Sequence, residues 1–265
     1  MAPARTSIRI TRVICTLEGD RPEPELMEMA SLLATTLEAE LSGVFIKAQD
    51  LVNLASLPGS QAVISRTGAR RELRPGEMED SLNRLAARAR RRLGEMAARR
   101  QLAFSFETLT GRTEDIFTGR ASRGELIALS RLPGTTAPPA TEDGAPLLIV
   151  PRGLAPNRPI SLIYEGATAA LGTAARLASA LERELIVVIP SGENSATLQR
   201  TAKGWLTRRK VAAHVRQAQP ANEDMIAALF EDQPGLIVAD RGTVYEGGLL
   251  QAAGAGRTAL LLLPR

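Results

Sequence analysis

The chain has 265 residues, 44% of them apolar and 23% charged, and a formal net charge of +4. That balance excludes a disordered chain, and no apolar run reaches the roughly 20 residues of a membrane-spanning helix. A single cysteine, Cys15, excludes an internal disulfide and suits a reducing, cytoplasmic setting, and Met1–Thr11 lacks the apolar core of a secretory signal.

Aromatic residues are only 3% of the chain, so the core is built from Leu, Ile, Val and Ala. In chain order, Arg12–Leu17 (RVICTL) reads as a strand ending at Glu18-Gly19. A helix is expected over Glu25–Leu41, then a strand over Val44–Lys47 after Gly43. An extra segment follows, Asp50–Pro75, in which Leu51, Leu54, Ala55 and Leu57 form a short apolar helix closed by Pro58-Gly59. This segment is expected to pack over the other half of the chain; the alternative is a flap over a ligand crevice. The basic surplus then concentrates in one stretch: Arg84, Arg88, Arg90, Arg91, Arg92, Arg99 and Arg100. Leu82, Leu85, Ala89, Leu93 and Met96 recur there at spacings of three and four, so the stretch is an amphipathic helix with arginines outward. Sequence-tolerant nucleic-acid binders add aromatic stacking platforms to a basic groove. None is interleaved here, so a solvated face is favoured over nucleic-acid binding.

Leu102–Leu109 is a further strand, followed by Thr110-Gly111-Arg112 and a helix from about Thr113. Glu125–Leu129 and Leu147–Val150 complete five strands, while Ser130–Ala145 carries no helix signal. After Gly153–Arg158 the order begins again. Pro159–Tyr164 is a strand, Ala167–Glu182 a helix, Leu185–Ile189 a strand and Ser195–Arg209 a helix. Val211–Arg216 is the third strand, and a helix capped by Asn222 runs to about Glu231. Gly235–Ala239 is the fourth strand, Glu246–Ala253 a short helix and Thr258–Leu263 the fifth strand. Uniformly apolar strands alternating with helices mean a parallel sheet covered on both faces, a doubly wound α/β arrangement.

The two halves keep register with one another. Glu18-Gly19 and Glu165-Gly166 stand 147 positions apart, Gly124 and Gly235 111 apart, and Pro151-Arg152 and Pro264-Arg265 113 apart. The first half therefore carries an insertion of about 35 residues, long enough to be functional in its own right. The last strands of the halves, Leu147–Val150 and Ala259–Leu263, are apolar edges that need cover.

Glu165-Gly166-Ala167 before an alanine-rich helix, LIVVIP, and Gly235–Gly242 (GLIVADRG) before a short helix and final strand resemble the universal stress protein family. Thr110-Gly111-Arg112 is similar to the family's third strand-to-helix junction. The resemblance covers nearly the whole chain except Asp50–Pro75. It implies two tandem five-stranded domains of the adenine nucleotide alpha hydrolase type, 1–152 with the insertion at about 50–75, and 159–265. Because paired family domains often meet along the fifth strand, it also implies an internal pseudo-dimer through those two strands, with room for a homodimer.

Family members that bind nucleotide carry Gly-x-x-Gly, nine residues, then Gly-Ser or Gly-Thr after the fourth strand, where glycine amides approach phosphates. Here the second half reads Ala239-Asp240-Arg241-Gly242, and Ala252-Ala253 stand in place of Gly-Ser. The resemblance therefore implies a regulatory or stress-response protein, not an enzyme, acting through an unidentified protein partner or small molecule, with a decayed ATP site. The alternatives are ATP or AMP binding in the crevice of the second half, through Glu165, Gly166, Ala167, Gly242 and Gly247, and nucleic-acid binding through Arg84–Arg100. Glu165 replaces the family's aspartate, where turn capping is an equal reading, and for Gly247-Gly248 close packing is favoured over a phosphate site.

Other chemistry finds no support. His214 is the sole histidine, with no second histidine or cysteine at ligand spacing, so no metal is expected. Ser191 and Ser195 lack a triad partner, there is no P-loop pattern, and Cys15 reads as core. Trp205, the sole tryptophan, is expected to bury its ring against the sheet.

Overall fold

The computed structural model describes residues 9–18, 23–57, 59, 61–63, 70–72, 75–111, 122, 124–130, 144–154, 157–218, 226, 229–230, 232–255 and 258–264. The strands are β1 (Arg12–Glu18), β2 (Glu40–Ala48), β3 (Gln61–Val63), β4 (Arg70–Glu72), β5 (Phe104–Gly111), β6 (Glu125–Leu129) and β7 (Leu147–Ile149). They continue with β8 (Ile160–Ile163), β9 (Leu185–Ile189), β10 (His214–Gln217), β11 (Leu236–Asp240) and β12 (Ala259–Leu263). The helices are α1 (Pro24–Leu37), α2 (Gln49–Ser56), α3 (Pro75–Arg99), α4 (Thr168–Ala180), α5 (Ser195–Arg208) and α6 (Glu246–Ala255).

Ten of the described strands form one sheet, in the order β10-β9-β8-β11-β12-β7-β6-β1-β2-β5. Read outward from its centre, each side repeats the same sequence of neighbours: fifth strand, fourth, first, second, third. All pairings within a side are parallel. The one antiparallel pairing joins the sides, with Leu147, Leu148 and Ile149 of β7 opposite Leu262, Leu261 and Leu260 of β12. These six side chains are at most 1% exposed. Fully burying a leucine or isoleucine contributes roughly 1.5–3 kcal/mol. Neither strand leaves its edge open at the seam.

The uniformly apolar strands are buried because helices lie on both faces. One face packs α1, α3, α4 and α5 against residues such as Val13, Leu41, Leu148, Leu162 and Leu261. The other packs α6, with Leu229 and Phe230, against Ile127, Ile149, Ile163, Ile237 and Leu262. A chain that sends one crossover to each face of a parallel sheet opens a crevice where the crossovers diverge.

Three expectations needed correction. The first helix stops at Leu37, where Glu38 turns left-handed at φ 55° and its amide returns to the Ala34 and Thr35 carbonyls. The second strand therefore starts at Glu40, and Gly43 lies inside it. Among the described residues the inserted helix α2 rests chiefly on α3 of its own half, with Ala55 buried and Leu54 and Leu57 exposed, and has no comparable packing against the other half. Past it, β3 and β4 pair as a small antiparallel ladder, with Gln61 opposite Glu72 and Val63 opposite Arg70, where no strand was expected. The Arg-rich helix is longer than its arginine run and buries Leu82, Ala86, Leu93, Met96 and Ala97. The helix from Thr113, most of Ser130–Ala145 and most of the helix capped by Asn222 lie outside the described residues.

Candidate functional site

In the second half β8 and β11 are adjacent and parallel, with Leu162 beside Val238, so their carboxyl ends emerge together. The chain leaving β8 goes to α4 on one face, and the chain leaving β11 goes to α6 on the other. The crevice expected from topology is therefore here. Glu165 is half-buried at its edge. Gly166 has φ +109°, a conformation that side chains rarely adopt, and a Cβ there would lie 3.5 Å from Leu198. Ala167 is the N-cap of α4 and supplies no side-chain cap.

Across from them, Ala239 and Asp240 are buried at the end of β11, and Gly242 turns at φ +73° with open space where a Cβ would be. Gly247 lies in the first turn of α6, also facing open space, whereas a Cβ on Gly248 would collide with Ile226. Glu165, Gly166 and Gly242 thus stand at neighbouring strand ends, while Ala167 and Gly247 begin the two diverging helices.

The sequence reading missed Glu246. Its carboxylate accepts the Gly242 amide N–H at 2.5 Å and lies 3.7 Å from Nε of Arg241. It occupies the position of a bound anion: an amide of a glycine turn on one side and a guanidinium on the other. A glutamate four residues after a turn glycine was the signal, but only the fold of that turn brings its carboxylate back. Arg241 is largely buried, which pulls its pKa down while Glu246 opposes the shift. Its Nη1 donates to the Ala145 carbonyl at 2.7 Å, just before β7, and so crosses the seam.

Two tyrosines complete the crevice. The Tyr164 hydroxyl is buried with no hydrogen-bond partner among the described residues, and burial, then the Asp240 charge, push its pKa up. Tyr245 is raised in the same sense by burial and by Glu165.

The first half carries a carboxylate at its own strand ends. Ser130, after β6, donates its hydroxyl to Glu23 Oε1 at 2.6 Å, and Arg152, after β7, donates to the same oxygen at 3.4 Å. Glu23 is buried at the N-cap of α1. In both halves, then, a carboxylate at the strand ends is held by an arginine and one further donor.

The remaining candidates fall elsewhere. Cys15 is fully buried, and desolvation with the nearby Glu23 charge pushes its thiol well above the usual range. His214 is exposed on the outer strand, 3.9 Å from Glu184. Among the described residues no cluster of histidine, cysteine or carboxylate side chains is arranged to hold a metal. Trp205, expected to bury its ring against the sheet, is half-buried and packs against the core; Arg209 stacks over its ring, 4.8 Å from the centroid, and its edge meets Gly172 of α4. No helix of the described residues is long and apolar enough to cross a membrane.

No family model matches the chain, and no curated protein matches it. Solved structures do. A universal stress protein structure from Pseudomonas aeruginosa UCBPP-PA14 aligns at a TM-score of 0.57 and 14% identity, over 96% of this chain and 93% of that one. One from Archaeoglobus fulgidus DSM 4304 aligns at 0.55 and 11%, over 96% of each chain. The cytoplasmic domain of a prokaryotic cation chloride cotransporter aligns at 0.51 and 13%, over 95% and 94%. With its parallel β-α order and its switch-point crevice, the chain has the universal stress protein fold.

Proposed function

We propose that the protein is a non-enzymatic regulatory module of the stress-response type, acting by binding a ligand or partner, with its strand-end nucleotide site closed from within. The observation that supports this reading is the seat of Glu246 between the Gly242 amide and Arg241. A phosphate entering there would have to displace a carboxylate that already satisfies both donors. It would also approach Asp240, buried at the end of β11. An anion held by backbone amides draws its affinity from donors left open for it. Here they are occupied.

Titration calorimetry of the full chain with ATP and with AMP tests the reading. No binding is expected at millimolar nucleotide. Glu246→Gln, which keeps the shape and removes the charge, should bring weak binding back. Micromolar binding by the unaltered protein that disappears in Gly242→Asp would overturn the proposal.

A further inference from the structure

A second concavity runs along the outer side of α4, on the face that carries α1, α4 and α5. It is an open cleft of about 930 Å³, floored by α4 and bounded by the end of α1 and the end of α5. That volume is in the range of small-molecule sites. Arg9, Arg176 and Arg209 line it, with Glu38 as the one carboxylate among the described residues. None of the three guanidiniums is held by a carboxylate among the described residues; Arg209 instead stacks on Trp205. Three cations around one cleft repel each other, and a bound oxyanion would relieve that.

Two further features of the same cleft point the same way. Thr168 and Ala169, the first turn of α4, line one end of it. That turn holds no acidic residue, and its N-cap Ala167 offers no side chain to the free amides. The first turn of this 13-residue helix, its positive end, therefore borders the cleft. Trp205 supplies an apolar wall beside the arginines, its indole edge close to Gly172 of α4.

We infer that this cleft binds a small polyanion, a multiply phosphorylated or carboxylated metabolite whose oxyanions are shared among Arg9, Arg176 and Arg209. None of these arginines belongs to the strand-end crevice, so variants of them test this site separately from the closed-crevice reading.

Trp205 is the only tryptophan, so its emission reports on this cleft alone. The full chain is titrated with tripolyphosphate and, in a parallel arm, with citrate, at constant ionic strength set by sodium chloride. A saturable change in emission is expected, and the arm with the tighter midpoint assigns phosphate or carboxylate. Arg176→Gln and Arg9→Gln should each weaken that midpoint at least tenfold with the urea unfolding midpoint unchanged, whereas Arg88→Gln on α3 should leave it in place. A response that does not saturate, that sodium chloride reproduces, or that Arg88→Gln weakens as much as Arg176→Gln does would overturn the assignment. So would a midpoint that the cleft variants leave unmoved.

Discussion

Gly43 sits in the middle of β2 because two other elements press on it. A Cβ there would lie 2.4 Å from Cδ2 of Phe106 on β5 and 2.8 Å from Cδ2 of Leu93 on α3. Both contacts are closer than packed atoms come, so Gly43→Ala should lower stability by about 1–3 kcal/mol, as overpacking does. Gly247 is the opposite case. It is helical, and nothing lies within 4 Å of where its Cβ would be. Gly247→Ala should be neutral or raise stability by up to about 1 kcal/mol, the helix-propensity difference. Urea midpoints of the two variants check both signs, and the reverse order would contradict this reading of the packing. The sequence alone treated Gly43 as a break before a strand, since the atoms that demand a glycine come from residues 50 and 63 positions away. Glu246 was hidden for a related reason. Its role depends on a left-handed turn at Gly242, not on residue type.

At the scale of elements, α3 presents Arg84, Arg88, Arg91 and Arg99 to solvent along one side while Leu82, Leu93 and Met96 are buried on the other. Arg100, just past its end, pairs with Glu28 of α1, so that cation is held within the fold. With no aromatic platform beside the arginines, attraction to nucleic acid is electrostatic only and falls steeply with salt. A duplex should be retained at low salt and released near 150 mM, as followed by fluorescence anisotropy. Retention at that salt which Arg88→Gln and Arg91→Gln together abolish would make α3 a nucleic-acid surface. The amphipathic period made α3 legible, just as unbroken apolar runs made β9 and β12 legible. The ladder of β3 and β4 was not, because three-residue strands such as Arg70–Glu72 carry neither alternation nor an apolar run.

For the whole molecule, the seam decides whether the two sides unfold as one. The β7–β12 pairing is fully buried, and Arg241 adds a bond across it to Ala145. The single cysteine lies on β1 of one side and the single tryptophan on α5 of the other. Alkylation of Cys15, protected by complete burial, and Trp205 emission should therefore report the same urea midpoint. Separate midpoints would mean that the seam does not couple the sides. The succession of strands along the chain could be read from apolar runs that alternate with helices most clearly in the second half, whereas their order within the sheet is seen only in the fold. Which strands meet at the centre came only from the resemblance to paired domains, since an apolar edge does not name its partner.

That seam has a consequence for how the chain can change. When two separate copies of one domain pair, symmetry forces every interface residue to serve in both settings at once. Here each side of the interface is encoded separately and is free to drift. The residues after the fourth strands already differ in this way. Arg241 reaches across to the opposite side, whereas Ser130, at the matching position, stays at home and binds Glu23. A self-pairing domain could not hold both arrangements in one gene; a chain that carries its own partner can give the two sides different tasks.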